Sequence, residues 1–133
     1  MKRTFTALLV AAIIPASSAV LAQPQIVPVR VTSAPRGKMA SRLASAVYRE
    51  VRSDTRVALV EDRSAEVLEI SLPDDVGWQR RLDWTEIHYQ ARLNYPSGHS
   101  NVIAGHCWNW NLRACAQQII DAAASTAPPA TLR

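Results

Sequence analysis

Glycine is scarce in this chain, with four in 133 residues, and phenylalanine occurs once. Catalytic signatures are missing altogether. There is no Gly-x-Ser-x-Gly elbow, no His-Glu-x-x-His pair and no glycine-rich phosphate loop, which removes the usual motif routes to a serine hydrolase, a zinc peptidase or a nucleotide-binding enzyme. Lysine is far outnumbered by arginine, and the formal net charge is a modest +4. No internal repeat and no inter-domain linker divides the chain, whose length suits one domain around one core. Cysteine is limited to Cys107 and Cys115, and their spacing is not that of a metal knuckle.

What is present concentrates in residues 84–115, which hold both cysteines, all three histidines and Trp84, Trp108 and Trp110. Across 85–95 the residue character alternates. Ile87, Tyr89, Ala91, Leu93 and Tyr95 fall on one side, Glu86, His88, Gln90, Arg92 and Asn94 on the other. That period of two predicts a strand with one buried and one wet face. Pro96, Ser97, Gly98 and His99 make a hairpin loop, and residues 101–108 return as a second strand. Asn109 or Asn111 is placed to cap the helix that follows. In it Leu112, Cys115, Ala116, Ile119 and Ala123 share one face. A disulfide between Cys107 and Cys115 would pin strand to helix, with a chain-entropy contribution of roughly 2.5 kcal/mol for so short a loop. Cys107 must then face the helix and His106 the opposite side. Whether His106 meets His88 depends on a register that sequence leaves open.

At the other end, Lys2 and Arg3 precede an uncharged run rich in Ala, Leu, Val and Ile that closes on Val20, Leu21 and Ala22. Residues 1–22 read as a secretory signal peptide cleaved before Gln23, with an uncleaved anchor as the competing reading. Cleavage lowers the formal charge to about +2, so basicity is a poor argument for nucleic acid or anionic lipid. No cysteine near that site is available for acylation. The expected product is a soluble periplasmic or secreted monomer with no membrane contact after cleavage, a domain over 23–124 and a flexible tail over 125–133.

Val27, Val29 and Val31 predict a first strand, with Pro28 suited to a strand start or an edge. Met39, Leu43, Val47 and Val51, with Ala46, predict an amphipathic helix. Residues 57–60, wholly apolar, read as a strand buried on both faces; Leu68, Ile70 and Leu72 give another. The segment 77–83 reads as an irregular charged loop. The sum is an α+β fold in two layers, a mixed sheet of four to five strands with two helices packed on one face.

Three chemical readings compete. Ser97, His99 and Asp83 make a poorly supported hydrolytic triad. His88, His99, His106 and Cys107 offer zinc or copper ligands, against the plainer reading of ordinary histidines and an oxidised cysteine; His88 and His106 are the pair to watch. Trp78, Arg80, Arg81 and Trp84 offer a partner-binding surface, because Trp and Arg are enriched at binding hot spots. Trp108 and Trp110 read instead as packing around the cystine and second helix. No cofactor is expected.

The order of these elements resembles the small β-α-β-β-α domains of bacterial envelope proteins, such as the amino-terminal domain of TolB and related curli-secretion and LPS-assembly lipoproteins. The resemblance lies in the pattern of 27–31, 39–51, 57–60, 65–72 and 112–123, and no residue signature carries it. It implies a non-catalytic binding or assembly role in the envelope, with an envelope protein as partner. The lipid anchor of the lipoprotein members does not transfer. The alternative expectation is a small-ligand or metal-binding protein, or a minor hydrolase, centred on His88 and His106.

Overall fold

A computed structural model of the chain describes residues 25–63 and 66–125. The expected signal peptide lies outside the described residues, as does the expected tail over 125–133 except for Ser125, which ends the last helix. The elements run β1 (Val27–Thr32), α1 (Lys38–Ser53), β2 (Val57–Leu59), β3 (Leu68–Ser71), β4 (Gly77–Arg81), β5 (Trp84–Asn94), β6 (Ser100–Trp108) and α2 (Leu112–Ser125). The six strands form one mixed sheet. β1 lies between β2 and β3, parallel to both, while β5 pairs antiparallel with β3, β4 and β6. The architecture is the expected α+β arrangement.

The core is the side of the sheet that faces the helices. α1 buries Ala40, Leu43, Ala44, Val47 and Val51, and α2 buries Leu112, Cys115, Ala116, Ile119, Ile120 and Ala123. Both sets repeat at three and four residues, the spacing that puts them on one helix face. Val29, Ile70, Ile87, Leu93 and Ile119 are wholly enclosed. One charged group joins them. The Glu50 carboxylate, buried on α1, accepts from Arg113 Nε of α2 at 2.8 Å and so ties the two helices together.

Three local expectations change. Residues 77–81 form β4 rather than an irregular loop, because a two-residue turn at Leu82 and Asp83 folds them back on β5. β3 and β4 lie along the same edge of β5. Between Ser71↔Arg92 and Gly77↔His88 the outer strand spends five residues where β5 spends three, so the interruption at Pro73 is an outward excursion of one long path. β2, expected inside the sheet, is an edge. Val57 is buried but Ala58 is exposed, since its side chain points to the face the helices leave open. Pro28, in turn, sits in the interior strand and disturbs nothing. Val27 donates to Arg56 and Val29 accepts from Val60 on the β2 side, so the donor that Pro28 lacks would point toward β3, whose ladder begins only at Val29.

The β5–β6 register answers the question left open by sequence. His88 pairs with His106 and Ile87 with Cys107. The ladder bonds fall on odd-numbered residues: Tyr95 donates to the His99 carbonyl at 2.8 Å, and Asn109 to the Thr85 carbonyl at 2.8 Å, at the two ends of that register. The even-numbered pairs, His88 with His106 among them, are therefore the non-hydrogen-bonded positions, where side chains stand closest.

Candidate functional site

Cys107 and Cys115 are joined by a disulfide with a Cα–Cα separation of 5.5 Å. Around it α2 is clamped to β6 by polar contacts. Tyr89, 3% exposed, lies opposite Gly105 and donates its hydroxyl to Gln118 Oε1 at 2.8 Å. Gln118 Nε2 donates in turn to the His106 carbonyl at 3.1 Å. Burial pushes the Tyr89 hydroxyl above its ordinary pKa, so it stays a donor. Gly105 is required there, because a Cβ would fall 2.5 Å from the Tyr89 hydroxyl and 2.8 Å from its ring. Asn109 does not cap α2. Its Oδ1 accepts from the Thr85 amide at 3.2 Å and secures the end of β5, leaving Asn111 directly before the helix.

The face away from the helices is open, and the candidate surface residues lie on and around its β4–β5 end. Arg81 opposes Trp84 there, and Trp84 meets Trp110 edge to face with ring centres 5.9 Å apart. Trp108 joins them on β6, opposite Glu86. Trp84 is 52% and Trp110 60% exposed, so neither is packed under the second helix, and Trp110 departs from its expected role there. Trp78 opposes Ile87 and Arg80 opposes Thr85, which puts them on the reverse side of the same hairpin. The structure thus distributes Trp78, Arg80, Arg81 and Trp84 over two sides of one projecting end. At its tip Leu82 takes φ 52°, a left-handed value seldom adopted by a branched apolar residue, and is almost fully exposed.

Next along the open face is a polar chain. Arg81 Nε contacts Glu86 Oε2 at 2.9 Å, and His88 Nε2 lies 3.0 Å from Glu86 Oε1. The His88 and His106 rings stand 5.9 Å apart, inclined by 36°. His99 is elsewhere, beside Tyr95 in the β5–β6 turn. Ser97 shares that turn, whereas Asp83 lies in the β4–β5 turn at the other end of an 11-residue strand. The two turns are separated by about 35 Å at the usual rise per residue, so Ser97, His99 and Asp83 form no triad.

Sequence reading missed a cleft of about 430 Å³ between α1 and the start of α2. Arg42, Ser45 and Arg49 line it from α1, and Trp110, Asn111 and Arg113 from the other side. The i, i+3, i+7 spacing of Arg42, Ser45 and Arg49 on α1 was the available signal. Arg42 reaches across to the Asn109 carbonyl at 3.4 Å.

No family model and no curated protein matches the chain. Solved structures do. A minor lipoprotein from Acinetobacter baumannii superposes with a TM-score of 0.51 at 8% identity, over 74% of this chain and 90% of that one. A PelC dodecamer from Paraburkholderia phytofirmans gives 0.44 at 13% identity, over 80% and 90%. At such identities the first likeness speaks to the fold alone, and the second carries no argument. Neither bears on the narrower resemblance to the TolB amino-terminal domain.

Proposed function

We propose that this chain is an exported, non-enzymatic module of the bacterial envelope that docks a protein partner through its β4–β5 hairpin end. The observation carrying the reading is the aromatic end of the open sheet face, where Trp84, Trp108 and Trp110 gather beside Arg81 while Trp78 and Arg80 occupy the reverse side. Exposed tryptophans grouped with arginine are the composition of interaction hot spots. A narrow hairpin with rings on both sides fits a concave partner that grips it, rather than a flat surface.

Two further features support the reading. A disulfide between strand and helix suits an oxidising compartment, in keeping with a signal peptide over residues 1–22 and a mature domain beginning at Gln23. Ser97 and His99 lie in one turn and Asp83 in the other, at opposite ends of β5, so that candidate set does not assemble, which favours binding over turnover. The fold likeness to a minor lipoprotein is compatible with this role.

The test is site-specific photocrosslinking in intact cells, with the crosslinker at position 84 and, as a control, at the exposed Ala58 on the opposite edge of the sheet. A discrete adduct at 84 that is absent at 58, and whose purified partner binds wild type but not a Trp84→Ala, Arg81→Ala variant, is the expected result. Equal capture at both positions, or a partner bound equally by the variant, would reject the assigned surface. Mass spectrometry of the exported form should begin at Gln23, without acylation.

A further inference from the structure

We propose that His88 and His106 form a two-nitrogen chelating site for a late first-row divalent metal, with copper(II) bound in preference to nickel(II) or zinc(II).

The site is built by register. His88 and His106 are directly opposed on adjacent antiparallel strands and occupy a non-hydrogen-bonded position, the closer of the two kinds of cross-strand pair. Their ring centres are 5.9 Å apart. Two imidazoles that share one metal at about 2.0–2.1 Å per nitrogen hold their ring centres roughly 4.5–6.5 Å apart, from a cis to a trans arrangement. The observed separation falls within that range. The Cys107–Cys115 disulfide fixes the adjoining residue of β6 to α2, and Gln118 holds the His106 carbonyl. One half of the chelate is anchored from behind.

The surroundings are arranged as they are around ligating histidines. Glu86 Oε1 lies 3.0 Å from His88 Nε2, and Arg81 holds the same carboxylate from its other oxygen at 2.9 Å. A carboxylate behind the imidazole orients the ring and raises its basicity as a ligand. Among the described residues no group of three or more His, Cys, Asp or Glu stands in a metal-holding arrangement, so the chain contributes two nitrogens. Both histidines face solvent on the open sheet, and water or a donor from a bound molecule fills the remaining positions. A set of two imidazoles with exchangeable oxygen ligands follows the Irving–Williams order, which puts copper(II) first.

The neighbouring residues supply a readout. Trp108 is two residues from His106 on the same face, and Trp84 follows beyond Glu86. A paramagnetic copper(II) ion on the histidines sits close enough to quench their emission. The test uses the untagged, disulfide-intact protein, stripped with EDTA and titrated separately with copper(II), nickel(II) and zinc(II) by calorimetry and tryptophan fluorescence. One equivalent of copper(II) should bind, quench emission and be released by EDTA. His88→Ala and His106→Ala should each weaken binding by at least about tenfold and to a similar degree. Glu86→Gln should weaken it less, while His99→Ala should leave it unchanged. Circular dichroism checks that each variant is folded, and all four positions are at the surface or half-buried. Wild-type affinity no greater than that of His106→Ala, loss with only one of the two histidines, or an equal loss with His99→Ala would each overturn the site.

Discussion

The two faces of β5 are made by one strand and do opposite things. Ile87, Tyr89, Ala91 and Leu93 are at most 3% exposed and meet the helices, while His88, Gln90 and Arg92, one residue out of phase, stand in solvent. The buried face has little chemical variety and a high cost of change. Among the described residues the open face carries the one histidine–carboxylate contact, His88 with Glu86, and three of the four exposed tryptophans, Trp84, Trp108 and Trp110. Alternation lets a single strand specify the fold with its odd-numbered residues and leave its even-numbered ones free of that constraint.

The sharpest way to break that contrast is a matched pair. Ile87→Ala removes a wholly enclosed side chain and should lower stability by about 2–5 kcal/mol, whereas Gln90→Ala, three residues on and on the open face, should stay within about 0.5 kcal/mol. Urea denaturation of both variants checks it, and comparable losses would show that the open face also carries structure. The cystine comes next. Replacing Cys107 and Cys115 by alanine should cost about 2.5 kcal/mol on the loop-entropy account, read as a lower midpoint that reducing agent no longer shifts. Gly105→Ala drives a methyl group into the buried Tyr89 ring and the Gln118 amide, and should cost about 1–3 kcal/mol. A Gly105→Ala, Tyr89→Phe double variant should recover part of it, because the hydroxyl is the nearest obstruction on that ring.

The smallest effect belongs to a site on neither face of β5. Side-chain hydrogen bonds from Arg56 hold the Asp54 carboxyl below its ordinary range, and Arg56 also reaches Asp121 of α2. A lowered carboxyl stabilises the fold above its unfolded value, near pH 3.9, and the contribution fades as pH falls through the folded value. Asp54→Asn should therefore differ slightly from wild type in thermal midpoint at pH 7, and the difference should vanish in acid. A gap that widened in acid would contradict the assignment.

The elements that were legible from sequence are those whose period reports burial. α1 was expected from the spacing of Met39, Leu43, Val47 and Val51, and it runs Lys38–Ser53. β5 alternated in sequence and alternates in space. β4 was not legible because all five of its residues are exposed. With no buried face it has no hydrophobic period, and Arg80, Arg81 and Asp83 gave it the composition of a loop. The edge position of β2 was hidden for the opposite reason. An apolar run does not distinguish an alanine turned to solvent from one enclosed in a sheet. The His88–His106 pair was beyond reach until the loop between the strands set a register, because a shift of one residue would have turned His106 toward the helices. The cleft at Arg42 and Arg49 depends on where α2 begins in space, which no local pattern on α1 encodes.

β6 is the last strand of the sheet, and it contains no charged residue and no proline, two of the usual deterrents to uncontrolled strand addition. Its outward-facing backbone groups belong to the even-numbered residues. At the cystine end they are already engaged, the His106 carbonyl by Gln118 and the Trp108 carbonyl by the Asn111 amide. Only the far end, around Ser100, Val102 and Ala104, presents its backbone to a newcomer. An incoming strand would find a template about five residues long that stops against α2, too short to hold a two-stranded pairing in water by itself. The helix that completes the core thus also acts as a stopper, limiting fibre growth from an edge whose side chains offer no charge to resist it.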